Sequence, residues 1–212
     1  MLSNLLLDFD GTLIDSGPAI LVSLDAALRA HDVKPVRPLT RDVIGPPLHA
    51  TLRTLSGSDD RELIETLAAE FRSRYDTEGL YATAAYPGVA ELLRTHVNAG
   101  TRLHLATNKR QKPTLLLLEH FGWRQWFTSV YCTDSRSPPY ASKGEMLQVL
   151  LREQGLEAGA CVYVGDTRHD EEAAAEAGLG FIAAGWGYGV GGQAVSDKAR
   201  VLAGPQELLQ VL

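Results

Sequence analysis

The sequence predicts an α/β fold: a three-layer core in which helices cover both faces of a parallel sheet, with a helical unit inserted after the first strand. Three observations predict it. Short apolar runs rich in branched residues recur at 5–7, 101–107, 128–133, 160–166 and 180–185, each of strand length. From Gly88 onward, stretches with helical periodicity and capping signals separate them, and strand alternating with helix is the pattern of parallel strands joined by crossovers. The chain has 212 residues, 45% hydrophobic and 22% charged, enough for one core and a smaller appended unit.

Taken in order, Leu5-Leu6-Leu7 opens the chain as a buried strand, and Gly11-Thr12 turns it directly afterwards. From about Ser16 to Ala85, two helical patterns (AILVSLDAALRAH and DDRELIETLAAEFRSRY) flank a Pro/Gly-rich connector, IGPPL, and no strand is expected. Residues 1–15 and 86–212 are therefore expected to form the core, and 16–85 a helical cap. Pro87-Gly88 opens a helix carrying Val89, Leu92 and Leu93 that stops before Gly100; Pro113 sits early in the next, whose LLLLEHF run stops at Gly122. Ser142 with Glu145 predicts a capping box for a third, ending near Gly155. The glycine-rich stretch from Gly185 to Asp197 reads as a loop before a short last helix.

A formal net charge of −6 argues against nucleic acid as a partner, because polyphosphate binding needs a basic face. The start, MLSNLLLDFDG, lacks a basic region and meets an aspartate too early for a signal peptide, and no apolar run is long enough for a bilayer. A cytoplasmic protein without membrane partners is expected. Cys132 and Cys161 each lie in a strand-like run and read as core thiols.

Ligands of open parallel sheets bind beyond the carboxyl ends of the strands, so the residues after each strand outline the site. They are Asp8, Asp10, Gly11 and Thr12 after the first, Thr107, Asn108 and Lys109 after the second, and Asp166, Thr167, His169 and Asp170 near the end of the run at 160–166. Four converging carboxylates repel one another unless a cation joins them. Oxygen donors without cysteine favour a hard cation, and Mg²⁺ suits a site that also holds phosphate.

DFDGTLIDS resembles the first motif of the haloacid dehalogenase-like (HAD) superfamily of aspartate-nucleophile phosphohydrolases. LHLATN is similar to its second motif, and VGDTRHD to its fourth in the Gly-Asp-Thr-x-x-Asp form. The resemblance implies a Rossmann-like, HAD-like core. The insertion at 16–85 is similar to the small mobile cap of the phosphoglycolate phosphatase-like branch.

Residue by residue, the resemblance implies that Asp8 attacks phosphorus to form an aspartyl-phosphate, while Asp10 protonates the leaving oxygen and then deprotonates water. It implies that Thr107, with Gly11, Thr12 and Asn108, holds phosphoryl oxygens. Asp8, the Asp10 carbonyl, Asp166 and Asp170 would hold Mg²⁺, the last directly or through water.

The third motif departs from the family pattern, which places a lysine before the helix after the third strand. Here DSRSPPYASKGEML offers Lys143, with Arg136 as rival; the planar guanidinium is less suited to acting as a point charge.

The presence of Asp10 disfavours the haloalkanoate dehalogenases and phosphonate hydrolases that this family resembles. The expected function is Mg²⁺-dependent hydrolysis of a small phosphorylated metabolite: a phosphoglycolate-like compound, a sugar phosphate or a nucleoside monophosphate. VIGPPLHATL (43–52) resembles a loop that reaches the substrate in such caps. Arg37, Arg41, His49 and Arg53 read either as partners for a second anionic group or as surface salt bridges; Lys34 reads as surface and His169 as non-ligating. Two alternatives stay open: a phosphosugar mutase or phosphotransferase on the same scaffold, and a non-catalytic phosphate-binding or signalling module.

Overall fold

The computed structural model describes residues 3–189 and 194–210. In chain order its strands are β1 (Asn4–Leu7), β2 (Ile14–Asp15), β3 (Ala84–Ala85), β4 (Arg102–Thr107), β5 (Phe127–Cys132), β6 (Cys161–Gly165), β7 (Gly180–Ala184) and β8 (Arg200–Leu202). The α-helices are α1 (Gly17–Ala30), α2 (Leu48–Ser56), α3 (Arg61–Arg74), α4 (Val89–Asn98), α5 (Gln111–His120), α6 (Lys143–Gln154) and α7 (Arg168–Glu176).

Six strands form one parallel sheet in the order β5-β4-β1-β6-β7-β8. The all-leucine centre of β1 is fully buried, as a central strand covered on both faces requires. Its side chains alternate between two clusters. Leu5 and Leu7 join Leu92, Leu93, Leu117 and Leu118 from α4 and α5, whereas Leu6 joins Met146, Leu147 and Ala174 from α6 and α7. The register sets Leu7 beside both Leu105 and Val164. Asp8, Thr107 and Asp166 therefore leave the sheet at one edge.

The helices α1 to α3 lie between β1 and β4 and bury Leu24, Leu52, Leu67 and Phe71 in the same cluster as β1. Asp60 caps α3 by accepting the Glu62 N–H at 2.9 Å. At its far end α3 continues into a single π-helical turn, Tyr75–Gly79, a form that often marks functional positions.

Four details differ from the sequence expectation. Ala84–Ala85 is a strand, paired antiparallel with Ile14–Asp15, so the two chain segments that enter and leave the helical unit run side by side. Two residues are too few for a period-two pattern, and alanine has little strand preference. β8 was not expected either; it is a three-residue edge strand with Val201 exposed. The short last helix is a 3₁₀ turn, Pro205–Gln210, and part of the glycine-rich loop, 190–193, lies outside the described residues. In the predicted capping box, Ser142 accepts the Glu145 N–H at 2.9 Å, but the Glu145 carboxylate takes the N–H of Ala141.

Both cysteines are free and buried. Among the described residues no helix is long and apolar enough to cross a membrane.

Candidate active site

The turn after β1 is closed by its own backbone. The Phe9 carbonyl accepts N–H groups of Leu13 and Ile14 at 2.9 and 3.1 Å, and the Gly11 N–H donates to the Ile14 carbonyl at 2.9 Å. Gly11 has φ 81°, and a Cβ there would lie 2.2 Å from Asp166 Oδ2, so only glycine allows the turn to pack on that carboxylate. The Thr12 hydroxyl points the same way, 3.4 Å from Asp166 Oδ1. The structure directs the Gly11 N–H into the turn and the Thr12 hydroxyl toward Asp166; both residues are expected from sequence to hold phosphoryl oxygens.

The two motif aspartates each have a separate lysine. Lys143 Nζ lies 2.9 Å from Asp8 Oδ2 and 2.5 Å from Asp170 Oδ1. Lys109 Nζ contacts both Asp10 oxygens at 3.0 and 3.1 Å, donates to the Tyr75 hydroxyl at 2.6 Å, and sits over the Tyr75 ring. The Ser16 hydroxyl also donates to Asp10, at 2.5 Å. Arg136, the rival to Lys143, pairs with Glu145 at the surface and lies over the Tyr140 ring.

Asp170 opens α7 as the third residue of a capping box with Thr167, accepting its N–H at 3.0 Å and its hydroxyl at 2.6 Å. The Tyr163 hydroxyl also contacts it, at 3.2 Å. Asp166 accepts the Tyr188 N–H at 2.6 Å. Asp8, Asp166 and Asp170 are all buried and offer one oxygen each within 4.8 Å of one another. The Asp10 carboxylate, by contrast, faces Lys109 and Ser16.

These contacts set the charge states. Burial raises Asp8 to about 7, against the pull of Lys143. Burial, with Asp170 and Asp8 adding to it, raises Asp166 well above the carboxylate range. Burial acts the same way on Asp170, but Lys143 and the Thr167 hydrogen bonds outweigh it and hold the group low. Burial works against charge on the lysines too, yet Asp10 and Tyr75 hold Lys109 at about 12, and Asp170 and Asp8 keep Lys143 above the ordinary lysine range.

Four carboxylates face two ammonium groups, so two negative charges lack a partner. Asp8 and Asp166 are the groups left short, and Asp8 Oδ1 is buried with no hydrogen bond. A divalent cation with oxygen preference fits both the charge and the donor set.

A cleft opens above Asp8 and Asp10. Thr107, Asn108, Lys109 and Arg110 line one side; Val43, Ile44, Gly45, Pro46, Leu48 and Thr51 from the 43–52 segment line another. Asn108 ties the two sides together, donating to the Gly45 carbonyl at 3.0 Å. Thr107 Oγ1 accepts the Lys109 N–H at 3.2 Å. The four basic residues considered as partners for a second anionic group make ion pairs instead of lining the cleft: Arg37 pairs with Asp42, Arg41 with Asp15, His49 with Glu65 and Arg53 with Asp59. Lys34 is exposed, and His169 is not in the carboxylate trio.

Sequence reasoning gave no role to Lys109, Tyr75, Trp186 or Tyr188. Lys109 is among the residues after the second strand that outline the site, though without a role; it lies two residues beyond Thr107, the last residue of β4. Trp186, which donates to the Thr12 carbonyl at 3.0 Å, and Tyr188 follow the carboxyl end of β7, so the same rule reaches them. Tyr75 had no local signal.

The fold and the site together define an α/β protein with a buried, cation-demanding acidic centre at the carboxyl ends of a parallel sheet. The chain belongs to the haloacid dehalogenase-like hydrolase family, whose model matches residues 5–184. It is 35% identical over 184 residues to the tyrosine-protein kinase PtkA of Mycobacterium tuberculosis, with 86% of this chain and 62% of that protein covered. The chain thus spans about three fifths of that relative's length. It is 34% identical to the phosphoglycolate phosphatase of Rhodobacter capsulatus, covering 89% of this chain and 86% of the relative. The crystal structure of a predicted phosphatase from Clostridium acetobutylicum superposes with a TM-score of 0.89 at 22% identity, covering 100% of this chain and 98% of the other.

Proposed function

We propose that the protein is a Mg²⁺-dependent phosphatase that hydrolyses small phosphomonoesters through an aspartyl-phosphate, with residues 1–15 and 86–212 as the catalytic core and 16–85 as its cap. The observation that carries this reading is Asp8 in the cleft, with one oxygen on Lys143 and the other buried and unpaired.

Asp8, Asp166, Asp170 and the Asp10 carbonyl would hold Mg²⁺, which when bound supplies positive charge against the phosphoryl oxygens. Asp8 forms a bond to phosphorus as the ester P–O bond breaks. Lys143 holds Asp8 in place and offsets repulsion between nucleophile and phosphate. Asp10 gives its proton to the leaving oxygen and later takes one from the water that hydrolyses the aspartyl-phosphate, returning Asp8 and inorganic phosphate. Lys109 and Ser16 fix the orientation of Asp10. Thr107 and the backbone N–H of Asn108, both at residues lining the cleft, would hold phosphoryl oxygens.

The similarity to a tyrosine-protein kinase supports a second reading, in which an acceptor hydroxyl replaces water. Phosphate release from a panel of small phosphomonoesters, with Mg²⁺ and with chelator, distinguishes the two. The phosphatase releases phosphate only with Mg²⁺. Asp8→Asn, nearly isosteric, lowers the rate at least 10³-fold, on the order of 4 kcal/mol of transition-state stabilisation, with an unchanged circular dichroism spectrum. Phosphate that stays on Asp8 in the absence of an acceptor favours the transferase.

A further inference from the structure

Beside the two aspartates, the cleft wall has a broad apolar part. Ile20 and Leu24 of α1, Val43, Ile44 and Leu48 around the connector, and Phe71 of α3 form it, and Leu24, Val43, Ile44 and Phe71 are each at most 6% exposed. The empty space, open solvent at the mouth included, is about 670 Å³.

The polar groups on that wall already have partners. The Thr51 hydroxyl donates to the Val43 carbonyl, the Tyr75 hydroxyl accepts from Lys109, and the Asn108 amide holds the Gly45 carbonyl. Of the cations, Lys109 is paired with Asp10, and Arg110 grips Asp76 through both oxygens.

A substrate carboxylate would have to compete for Lys109 with Asp10 or for Arg110 with Asp76, whose side chain is 9% exposed. Either exchange costs a close ion pair, leaving Asp10 with the Ser16 hydroxyl and Asp76 with Lys112 at 3.9 Å, which is unfavourable. Sugar hydroxyls meet the same wall and lose their hydrogen bonds to water. An apolar group gains in proportion to the surface it buries.

We infer that the leaving group accepted by this site is uncharged and largely apolar, an alkyl or arylalkyl alcohol, rather than a glycolate or a sugar. This rests on the phosphatase reading for its chemistry, but the preference itself is a binding property. It is tested apart from turnover by calorimetry of three phosphonates, whose P–C bond this chemistry leaves intact, against the Mg²⁺-loaded protein.

Benzylphosphonate is expected to bind at least tenfold more tightly than methylphosphonate, with phosphonoacetate no tighter than methylphosphonate. Leu48→Asp, a change at a half-buried wall position, is expected to weaken benzylphosphonate at least tenfold and methylphosphonate less than twofold. A preference for phosphonoacetate, equal affinity for all three, no binding of any, or a benzylphosphonate affinity untouched by Leu48→Asp overturns the inference. Phosphate release is then measured from benzyl phosphate and ethyl phosphate, whose alcohols are of similar acidity. Release from neither, with the phosphonate order intact, removes the phosphatase reading and leaves the apolar preference standing.

Discussion

At the scale of single residues, the site turns on how each buried charge is balanced. Lys143 contacts Asp8 and Asp170 at once, so Lys143→Met leaves two carboxylates without their cation. Removing one partner of a buried pair costs about 3 kcal/mol or more, and the variant is expected to lose that much stability in urea and at least a hundredfold in phosphate release. Arg136→Ala removes only a surface pair with Glu145 and is expected to change stability by less than about 1 kcal/mol and leave activity unaltered. Equal losses in the two variants would refute the assignment of Lys143. A different kind of buried group sits in β4: His104 has Nδ1 on Ser129 Oγ at 2.8 Å and Nε2 without a partner. Burial, with a smaller push from Arg102, lowers it from 6.5 to about 4. The fold therefore keeps the imidazole neutral where the unfolded chain protonates it, so its contribution is complete above about pH 6.5 and is lost as pH falls toward 4. Urea midpoints of the wild type minus those of His104→Leu should decline over that interval, and a flat difference would contradict this account.

At the scale of elements, the unit formed by α1 to α3 is fastened to the sheet beside Asp10. The π turn after α3 carries Tyr75, held by Lys109, and Asp76, gripped by Arg110; Asn108 holds the connector at Gly45. All three anchors come from the segment after β4, and Lys109 also positions Asp10. Tyr75→Phe keeps the ring but removes the acceptor, which is expected to cost about 1 kcal/mol and to lower kcat several-fold with little change in KM. Arg74→Ala, one residue earlier and half exposed, serves as the control and should be silent. The contrast between local and distant signals also explains what could be read from sequence. The apolar runs of β1, β4 and β6, the cap at Ser142 and the glycine at Gly11 are local features, and each was visible. The carboxylate trio was legible because parallel strands deliver their carboxyl ends to one edge. The Lys109–Tyr75 contact spans 34 residues, and Tyr188 meets Asp166 across 22, with no periodicity to announce either. The use of the Gly11 N–H to close its own turn was not legible for a related reason: which backbone groups a turn uses to close itself depends on its dihedrals, and residue types alone leave that open.

At the scale of the whole molecule, a chain of net charge −6 gathers four carboxylates at one end of its sheet and matches them with two lysines. That imbalance is destabilising unless protons or a cation remove it, and the high proton affinities of Asp8 and Asp166 are its signature. Bound Mg²⁺ would replace those protons and stabilise the folded chain over the unfolded one, which has no formed site. At a hundred times its dissociation constant a ligand adds about 2.7 kcal/mol, which for a chain of this size corresponds to a rise in Tm of roughly 5–10 °C. The rise should grow with Mg²⁺ concentration, vanish with chelator, and be absent at equal ionic strength of a monovalent salt. Asp166→Asn removes one member of the trio and one negative charge. The metal-free variant should therefore melt no lower than the metal-free wild type, while its response to Mg²⁺ is largely lost. A variant that still gains the full increment would place the cation elsewhere, and with it the explanation for why this fold tolerates its aspartates.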